Sequence, residues 1–559
     1  MSVVRGVAAR RAIAGLAALA LIAPLAACTS TADPSPAAST STATAAPSAV
    51  FNFGTGAEPA GLDPALVKDA ESYRVTQQVL EGLVTVDPTT GDPAPSLATS
   101  WSEGNDGLSY TFALRDKVLF QDGTPLDAGA VCTNFERWYT LPPATRGDSG
   151  AVTFKQLFGA FSEDPEHSIY KKCTAVDPAH VKIELGLRLT GFLQAMTQPA
   201  FAISSPKALA ALDANNLKDQ VGGRKVSAYG LHPVGTGPFT FGSWKDGRIT
   251  LTANPGYWGD KGQISVLNFI TYDQPENRLL ALKDGSIDGF DPVTPGNFDE
   301  LVKNGTQILQ RDPFSVMYLG INQSIPVLAD EKVRQAMAMA IDKDTLIHDF
   351  FIDGTGAAAQ FIPPKLSGFN KSVTKYAFDP DKAKKLLAES SYKGEPLKFY
   401  YPTNATRAYL PTPEKVYAEI ARQLTAVGFT IVPVPVDWAD DYVGKAAGSP
   451  DHALDLMGVN GLYADPDNFV GTLFGTPNTE LGLNDPQLVS KIIRARSLPN
   501  GAERTEAYQS ISEQIAKTVP AIPIAFPISA VALSSRVSSY PVSPVLHEVF
   551  NKITLTDQR

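Results

Sequence analysis

The side chains best suited to metal binding and nucleophilic catalysis are few in this 559-residue chain and lie far apart. Neither Cys132 nor Cys173 belongs to a Cys-x-x-Cys motif or lies near a histidine. The histidines form no His-x-x-x-His pair of the kind that places two imidazoles on one helical face. They are His167, His180, His232, His348, His452 and His547. We therefore expect no metal site, no cofactor and no cysteine nucleophile.

Two serine-containing segments resemble catalytic motifs but lack the residues that would complete them. Residues 147–150 (GDSG) match the nucleophile loop of trypsin-like proteases, without the histidine and aspartate blocks of a triad. Residues 168–171 (SIYK) fit Ser-x-x-Lys without its companion motifs. The glycine turns GTGAEPAG and GTGAAA lack the strand–GxGxxG–helix context of a nucleotide site. We expect no catalytic residue and no enzymatic activity.

The beginning of the chain has the order of features typical of an export signal. Three arginines precede an uncharged apolar run at residues 12–27, which is shorter than the ~20 residues of a spanning helix. The run ends in Leu-Ala-Ala-Cys, which resembles the bacterial lipobox, and a diacylated Cys28 would hold the chain on a membrane. We predict a signal peptide at residues 1–27 and lipidation of Cys28. An ordinary secretory signal is the alternative, and the Sec and twin-arginine routes are both open.

The segment that follows has the composition of a tether. Residues 28–49, the lipid anchor and linker, are almost entirely Ser, Thr, Ala and Pro, so we expect them to be disordered. The whole chain carries a net charge of −10 and has no basic run, which argues against nucleic acid or an anionic membrane surface as a partner. We expect a monomer on the extracytoplasmic face of the cell membrane, attached through the lipid alone.

Export would place Cys132 and Cys173 in an oxidising compartment, where two remaining cysteines favour a disulfide. In the chain-entropy model, closing a loop of about 40 residues contributes on the order of 3–4 kcal/mol to stability. Two buried thiols are the alternative.

Helical and strand patterns alternate through the rest of the chain, and we find no internal repeat. Tyr110, Phe112 and Leu114 share one face of a predicted strand. Apolar residues at helical spacing from Val333 to Ile341 predict a helix after Asp330. The following strands and helices complete the prediction: strands 50–54, 237–244, 248–254, 397–401 and 429–434, and helices 72–80, 128–138, 414–427, 486–497 and 501–517. The two strands flanking helix 414–427 predict a right-handed βαβ crossover.

Several blocks, in order, resemble the family 5 extracellular solute-binding proteins of ABC importers, which include the oligopeptide- and dipeptide-binding proteins. The resemblance extends over residues 50–545. Its densest blocks are PAGLDPAL (59–66), VLEGLVTVDPTTGDPAPSLATSWSEGNDGLSYTFALRDKVLFQDGTPLDAGAV (79–131), HPVGTGPFTFGSWKDGRITLTANPGYWG (232–259), LGINQS (319–324), VRQAMAMAIDKDTLI (333–347) and ADPDNF (464–469).

The resemblance implies an α/β fold, a two-lobed periplasmic-binding-protein-like clamshell of type II, cluster C. Such folds bind a ligand between the lobes and close around it by a hinge. The implied divisions are lobe I at 50–312 and 527–559, an extra subdomain of lobe I at 93–220, lobe II at 313–526, and crossing strands near 313–317 and 522–527.

The resemblance also implies the ligand-binding residues, which are Glu58, Pro59, Ala60, Asn322, Trp438, Asn460, Gly461, Leu462, Asp465 and Phe526. Glu58 would pair with a cationic ligand group, and Trp438 would form a rigid aromatic wall. The alternatives are structural: a solvated loop acid for Glu58, a core position for Trp438 and Phe526, and a hinge hydrogen bond for Asn322.

One position departs from the pattern of peptide binders in this family. There an aspartate in the loop at 457–469 pairs with the α-amino group of the ligand, and the matching residue here is Leu462. A leucine cannot balance a buried ammonium. Either Asp465 or Glu58 replaces the aspartate, or the amine lies elsewhere, or the ligand has no free amine; a structural turn cap is the alternative role for Asp465.

We therefore predict a receptor that captures short peptides and delivers them to an ABC permease and ATPase. A non-peptide solute (metal chelate, haem or sugar oligomer) and a sensory lipoprotein are the alternatives.

Overall fold

The computed structural model describes residues 49–88, 90–146, 152–221 and 223–556. The predictions for residues 1–48, including lipidation of Cys28, and the GDSG segment at 147–150 lie outside the described residues. The strands in chain order are β1 Ala49–Thr55, β2 Val84–Val86, β3 Pro93–Pro95, β4 Ala98–Glu103, β5 Ser109–Leu114, β6 Tyr170–Asp177, β7 His180–Leu185, β8 Asp219–Val221, β9 Arg224–Val226, β10 Phe239–Lys245, β11 Arg248–Ala253, β12 Ile264–Thr271, β13 Gly289–Phe290, β14 Gln307–Gln310, β15 Ser315–Ile321, β16 Gly356–Ala357, β17 Pro396–Thr403, β18 Thr430–Asp437, β19 Leu454–Asn460, β20 Ala521–Phe526, β21 Ala530–Leu533, β22 Val537–Ser539 and β23 Thr554–Leu555.

Several helices begin with a side chain that caps the first turn or with a proline in that turn. Asp69 accepts a hydrogen bond from the Ser72 amide (2.9 Å) at the start of the first helix, and proline is the first residue of several others. The helices are α1 Ala70–Val79, α2 Ala128–Tyr139, α3 Pro143–Arg146, α4 Val152–Phe158, α5 Phe192–Ala195, α6 Pro206–Ala211, α7 Pro275–Lys283, α8 Pro295–Lys303, α9 Glu331–Ala340, α10 Lys343–Phe350, α11 Pro380–Ala388, α12 Pro413–Val427, α13 Tyr442–Gly448, α14 Asp467–Phe474, α15 Pro486–Ser497 and α16 Ala502–Thr518. Within the described residues, no helix is long and apolar enough to cross a membrane.

The first lobe is built on a seven-stranded sheet in the order β10-β11-β12-β1-β13-β21-β14. β1 lies parallel to both β12 and β13, and β10–β11 is the hairpin that the sequence predicts. Aromatic rings fill the core on one side of β1; the centroids of Phe53 and Phe550, for example, are 5.1 Å apart. Because β21 comes from the last part of the chain, this lobe is made of separated segments.

The second lobe is built on a six-stranded sheet in the order β16-β20-β15-β19-β17-β18. β17 and β18 are parallel and joined through α12, which confirms the predicted strand–helix–strand unit. α12 ends at Gly428, whose φ of 113° lies in the left-handed region that glycine adopts without strain. α9 buries the apolar stripe from Val333 to Ile341, as predicted.

A third group of elements packs around a four-stranded antiparallel sheet, β4-β5-β7-β6. The faces of β5 alternate as predicted, with Tyr110, Phe112 and Leu114 buried. A disulfide joins Cys132 in α2 to Cys173 in β6, with the Cα atoms 5.2 Å apart. It fastens the helix to the sheet on which it packs.

The chain passes between the two large sheets at two places. β14 belongs to the first sheet and β15 to the second, and β20 belongs to the second and β21 to the first. The connections are short, at residues 311–314 and 527–529. Short, closely spaced connections of this kind are the type of segment that absorbs a hinge motion between lobes.

Candidate ligand-binding cavity

A cavity of about 1060 Å³ is lined by residues of both large lobes and of the third group. Its first-lobe wall includes the loops that follow β1 and β12, and its second-lobe wall includes the loops that follow β17, β18 and β19. β1 and β12 run parallel to each other, and so do β17, β18 and β19. The carboxyl ends of parallel strands meet at one edge of a sheet, and there side chains from distant parts of the sequence converge on a ligand.

The first-lobe wall contains the segment that the sequence singles out after β1. Glu58, Pro59 and Ala60 all line the cavity, and Glu58 is exposed. The Ala60 amide donates to the Ser72 hydroxyl (2.9 Å), which fixes this loop to the first turn of α1. α1 then presents Tyr73 and other side chains to the same space.

Arg407 is the main cation of the second-lobe wall. Reciprocal backbone bonds between Arg407 and Leu410 (3.1 and 3.0 Å) make a tight turn after β17. The guanidinium carbon lies 3.8 Å from the centroid of the Trp438 ring. Although the residue is only 9% exposed, its side chain forms no hydrogen bond or ion pair with any described residue, and burial lowers its pKa. Arg407 is thus a desolvated cation that faces the cavity without an anion.

Two contacts hold the loops around Arg407. The Asn404 amide donates to Asp437 (2.7 Å), which joins the ends of β17 and β18. The Tyr409 side chain packs directly on Gly458 of β19, where a Cβ atom would come within 2.3 Å of the ring. Glycine is therefore required at 458 if Tyr409 is to occupy its place in the wall.

A carboxyl group, Glu480, lies in the same wall and accepts a hydrogen bond from the Tyr318 hydroxyl (2.7 Å). Asp455, which is fully buried in β19, is its acidic neighbour. Burial and then the Asp455 charge raise the pKa of Glu480 to about 8, and burial also raises the pKa of Asp455. Tyr409 interacts electrostatically with Arg407, Glu480 and Asp455, and of these Arg407 and Glu480 line the cavity beside it.

Three more predicted residues lie in the cavity wall, namely Trp438, Asn460 and Leu462. Asn460 accepts from the Ser315 hydroxyl (3.0 Å) across the β15–β19 ladder. The Leu462 amide donates to the Asn468 side chain (2.7 Å), and the leucine side chain packs against the core of the third group. Leu462 therefore gives this wall an apolar surface.

Four predicted ligand-binding residues lie outside the cavity lining: Asn322, Gly461, Asp465 and Phe526. Asn322 donates to the His452 carbonyl (2.9 Å), a bond that holds β15 to the start of β19. Asp465 forms a two-oxygen ion pair with Arg504 (2.9 and 2.8 Å). Asp465 also accepts from the Asp467 amide (2.9 Å), which is the turn role named as its alternative, whereas the Asn322 bond lies within the second sheet and not at the connections between the lobes.

Gly461 and Phe526 lie outside the cavity because neighbouring residues pack closely around them. The Gly461 amide donates to the Phe314 carbonyl (2.7 Å), and a Cβ atom at 461 would lie 2.1 Å from the Phe314 ring. Phe526 pairs with Gly356 at the end of β20 and is 4% exposed within an apolar cluster.

The polar residues of the wall that sequence reasoning missed include Lys68, Tyr318, Arg407 and Glu480. Arg407 follows the predicted strand at 397–401, and its position after one strand of a parallel pair was a usable signal. Glu480 lies in a loop without periodicity, and only the fold brings it beside Tyr318. Among the described residues, no group of three or more His, Cys, Asp or Glu side chains is arranged to hold a metal ion.

Comparison with known proteins places this geometry in context. Residues 92–480 match the family model for the middle region of bacterial extracellular solute-binding proteins, family 5. Heme-binding protein A of Haemophilus influenzae is 28% identical over 97% of this chain and 98% of its own. The dipeptide-binding protein of Escherichia coli is 28% identical over 89% of this chain and 93% of its own.

A solved structure gives the same match at the level of fold. It is a periplasmic binding protein associated with an ABC transporter of Helicobacter pylori, in complex with the peptide STSA. The TM-score is 0.80 at 26% identity, and the match covers 91% of this chain and 99% of the other. The two-lobed α/β fold expected from the sequence is thereby confirmed.

Proposed function

Because the chain belongs to family 5 of the bacterial extracellular solute-binding proteins, we propose that it captures short peptides between its lobes and delivers them to an ABC permease and ATPase. The observation that carries the peptide assignment is the unpaired Arg407 guanidinium over Trp438. A guanidinium binds a carboxylate through two parallel hydrogen bonds, and every free peptide ends in a carboxylate. Binding would favour the closed arrangement of the lobes.

The size and composition of the cavity support this proposal. About 1060 Å³ is slightly above the usual range for small-ligand pockets, roughly 300–1,000 Å³. The wall combines aromatic surface, such as Trp438 and Tyr409, with a few charged groups. Relatives named for di- and tripeptides are similar over about nine tenths of this chain, which supports the same ligand class here.

We further propose that the protein is a non-enzymatic lipoprotein on the extracytoplasmic face of the cell membrane. Its support is the sequence before residue 29, where an apolar run ends in Leu-Ala-Ala-Cys. Mass spectrometry of the N-terminal peptide from host membranes tests this directly. A diacylated Cys28 is expected, and a free Cys28 or an uncleaved signal would refute the proposal.

The ligand assignment is tested with pools of di- to tetrapeptides and native mass spectrometry. The free-acid pool should yield bound complexes and raise the melting temperature, since ligand that binds only the folded state stabilises it by mass action. The same pool with C-terminal amides should bind much more weakly, because it offers Arg407 no carboxylate. If neither pool binds and protein from the host carries haem absorbance instead, peptide is the wrong ligand class.

A further inference from the structure

The Glu480 carboxyl has no lysine or arginine partner in its own lobe. It accepts a hydrogen bond from the neutral Tyr318 hydroxyl, at 2.7 Å, and shares a hydrogen bond with the Asp455 carboxyl. No Lys or Arg nitrogen of a described residue lies within 4.0 Å of its oxygens. The cation that interacts with it electrostatically is Lys68, which belongs to the opposite wall of the cavity and makes no ion pair within that distance.

Next to Glu480, the fold buries a second carboxyl group, that of Asp455, in space left by the absence of a side chain at Gly320. Asp455 faces Gly320 across the β15–β19 ladder, and a Cβ atom at 320 would lie 2.2 Å from the Asp455 carboxyl. Oδ1 of Asp455 lies 3.3 Å from Nε2 of His452, whose ring and carbonyl are held in turn by Asn322. Oδ2 of Asp455 is buried and accepts from no amine, amide or hydroxyl donor among the described residues, and the Asp455 carboxyl shares a hydrogen bond with Glu480.

Two adjacent carboxyl groups in this position are unfavourable when both are charged, and burial together with the Asp455 charge raises the pKa of Glu480 to about 8, so the pair shares a proton at neutral pH. The basic groups near the pair are the His452 imidazole, at 3.3 Å from Asp455, and Lys68, which lies beyond 4.0 Å of Glu480. A cationic group that enters the cavity beside Glu480 would take the place of that shared proton. Arg407, a cation without an anionic partner among the described residues, lies in the same wall.

We propose that Glu480, backed by Asp455, binds a cationic group of the solute, so that the ligand is a zwitterion with its carboxylate on Arg407 and its ammonium on Glu480. The proposal rests on the proposed function and narrows it. It also explains why the cavity tolerates Leu462, since the counter-charge for the amine comes from another loop.

The test compares wild-type protein with Glu480→Gln and Asp455→Asn on three peptide pools: free, N-acetylated and C-amidated. Binding is measured by native mass spectrometry and by calorimetry on the peptide that binds best. Glu506→Gln, an exposed acid on α16 outside the cavity, is the matched control. The melting temperature of each unliganded variant shows whether it has folded.

Glu480→Gln should weaken binding of the free pool by about 10- to 100-fold, the size expected for loss of a hydrogen bond to a charged group. For the same pool, the affinity of Asp455→Asn should lie between those of wild type and Glu480→Gln. N-acetylated peptides should bind wild type and Glu480→Gln equally weakly. Equal affinity of wild type for free and N-acetylated peptides, with C-amides excluded, would overturn this proposal while leaving the peptide assignment in place. Failure of every pool would instead refute the peptide assignment.

Lys68 provides a second discriminating variant. If Lys68 and Glu480 formed an ion pair that holds the two lobes closed, Lys68→Met would weaken binding of the free pool as much as Glu480→Gln does. We expect Lys68→Met to bind the free pool at least as tightly as wild type, because the lysine then no longer competes with the ligand ammonium. A loss equal to that of Glu480→Gln would contradict the assignment.

Discussion

The second lobe contains two sets of buried charges that differ in how they are paired. In the loop after β19 and in α14, Asp465 and Asp467 each form a two-oxygen ion pair, with Arg504 and Arg496 respectively. In the cavity wall, Arg407 and Glu480 have no ionic partner within the described residues, although the paired Asp467 and Arg496 also line this cavity. The paired arginines lie on α15 and α16, whereas Arg407 and Glu480 lie on loops. On our proposal, the paired (saturated) charges hold the backbone and the unpaired (unsaturated) charges bind the ligand.

The comparison also corrects a simple expectation about acids in this region. Asp465 lies close in sequence to Leu462 and is charged, so it was a reasonable candidate for the ligand amine. Its carboxylate is already fully used, because both oxygens accept from Arg504. On our proposal, pairing rather than sequence position separates structural acids from ligand-binding acids.

The largest expected effect comes from breaking a saturated pair. Arg504→Met leaves Asp465 buried without a partner and should lower the free energy of unfolding by about 3–5 kcal/mol. Urea denaturation measures the loss. The protein that remains folded should still bind peptide. A loss of affinity without a loss of stability would mean that Asp465 is a ligand residue after all.

Removing the disulfide of the third group tests whether stability can fall there without a change in peptide affinity. Replacing Cys132 and Cys173 together by serine opens a cross-link spanning 41 residues and should lower the free energy of unfolding by about 2–4 kcal/mol. Neither cysteine lines the cavity, so peptide affinity at a temperature where the variant is folded should be unchanged. Weaker binding by the folded variant would show that the third group positions cavity residues through this cross-link.

Arg407→Met tests the unsaturated set. Affinity for free peptides should fall by about 10- to 100-fold, through the loss of roughly 1.5–3 kcal/mol from hydrogen bonds to a charged group. The unliganded protein should be as stable as wild type or more so, because a buried cation without a partner is removed. Arg494→Met is the control, since its side chain is 77% exposed and lies outside the cavity. A strongly destabilised Arg407→Met would place Arg407 among the structural charges.

Periodicity predicted most of the helices and strands, because the buried face of each element is determined by the spacing of apolar residues within that element. The stripe in α9 and the alternation in β5 are set by residues three or two apart, and both are buried as predicted. The family resemblance implied crossing strands near 313–317 and 522–527; these strands, β15 and β20, belong to the second sheet, and the chain crosses in the connections beside them. Periodicity contains no information on which distant loops meet, and the loop that contains Glu480 has none at all.

The candidate site was only partly predictable for the same reason. Glu58, Pro59, Ala60, Trp438, Asn460 and Leu462 do line the cavity. Asn322 and Asp465 are polar residues in the expected segments, but their side chains already form hydrogen bonds with His452 and Arg504. Whether a polar atom is free depends on the partner that folding brings to it, such as Arg504, which is 39 residues from Asp465. A single sequence does not specify that pairing.

The smallest expected effect concerns the pH dependence of stability. The folded-state pKa of Glu480 is raised to about 8, well above its ordinary value of 4.5, so between these values the folded state holds a proton that the unfolded chain releases. The contribution of Glu480 to the free energy of unfolding is therefore full below about pH 4.5 and is lost as the pH rises through 8. Glu480→Gln should remove part of this decline, on the order of 1 kcal/mol between pH 5.5 and 8 after screening by solvent. Urea denaturation of unliganded protein at the two pH values measures it, with Glu506→Gln as control. Equal slopes in wild type and Glu480→Gln would mean that Glu480 is already ionised near neutral pH and fully compensated, in which case it belongs with the saturated charges.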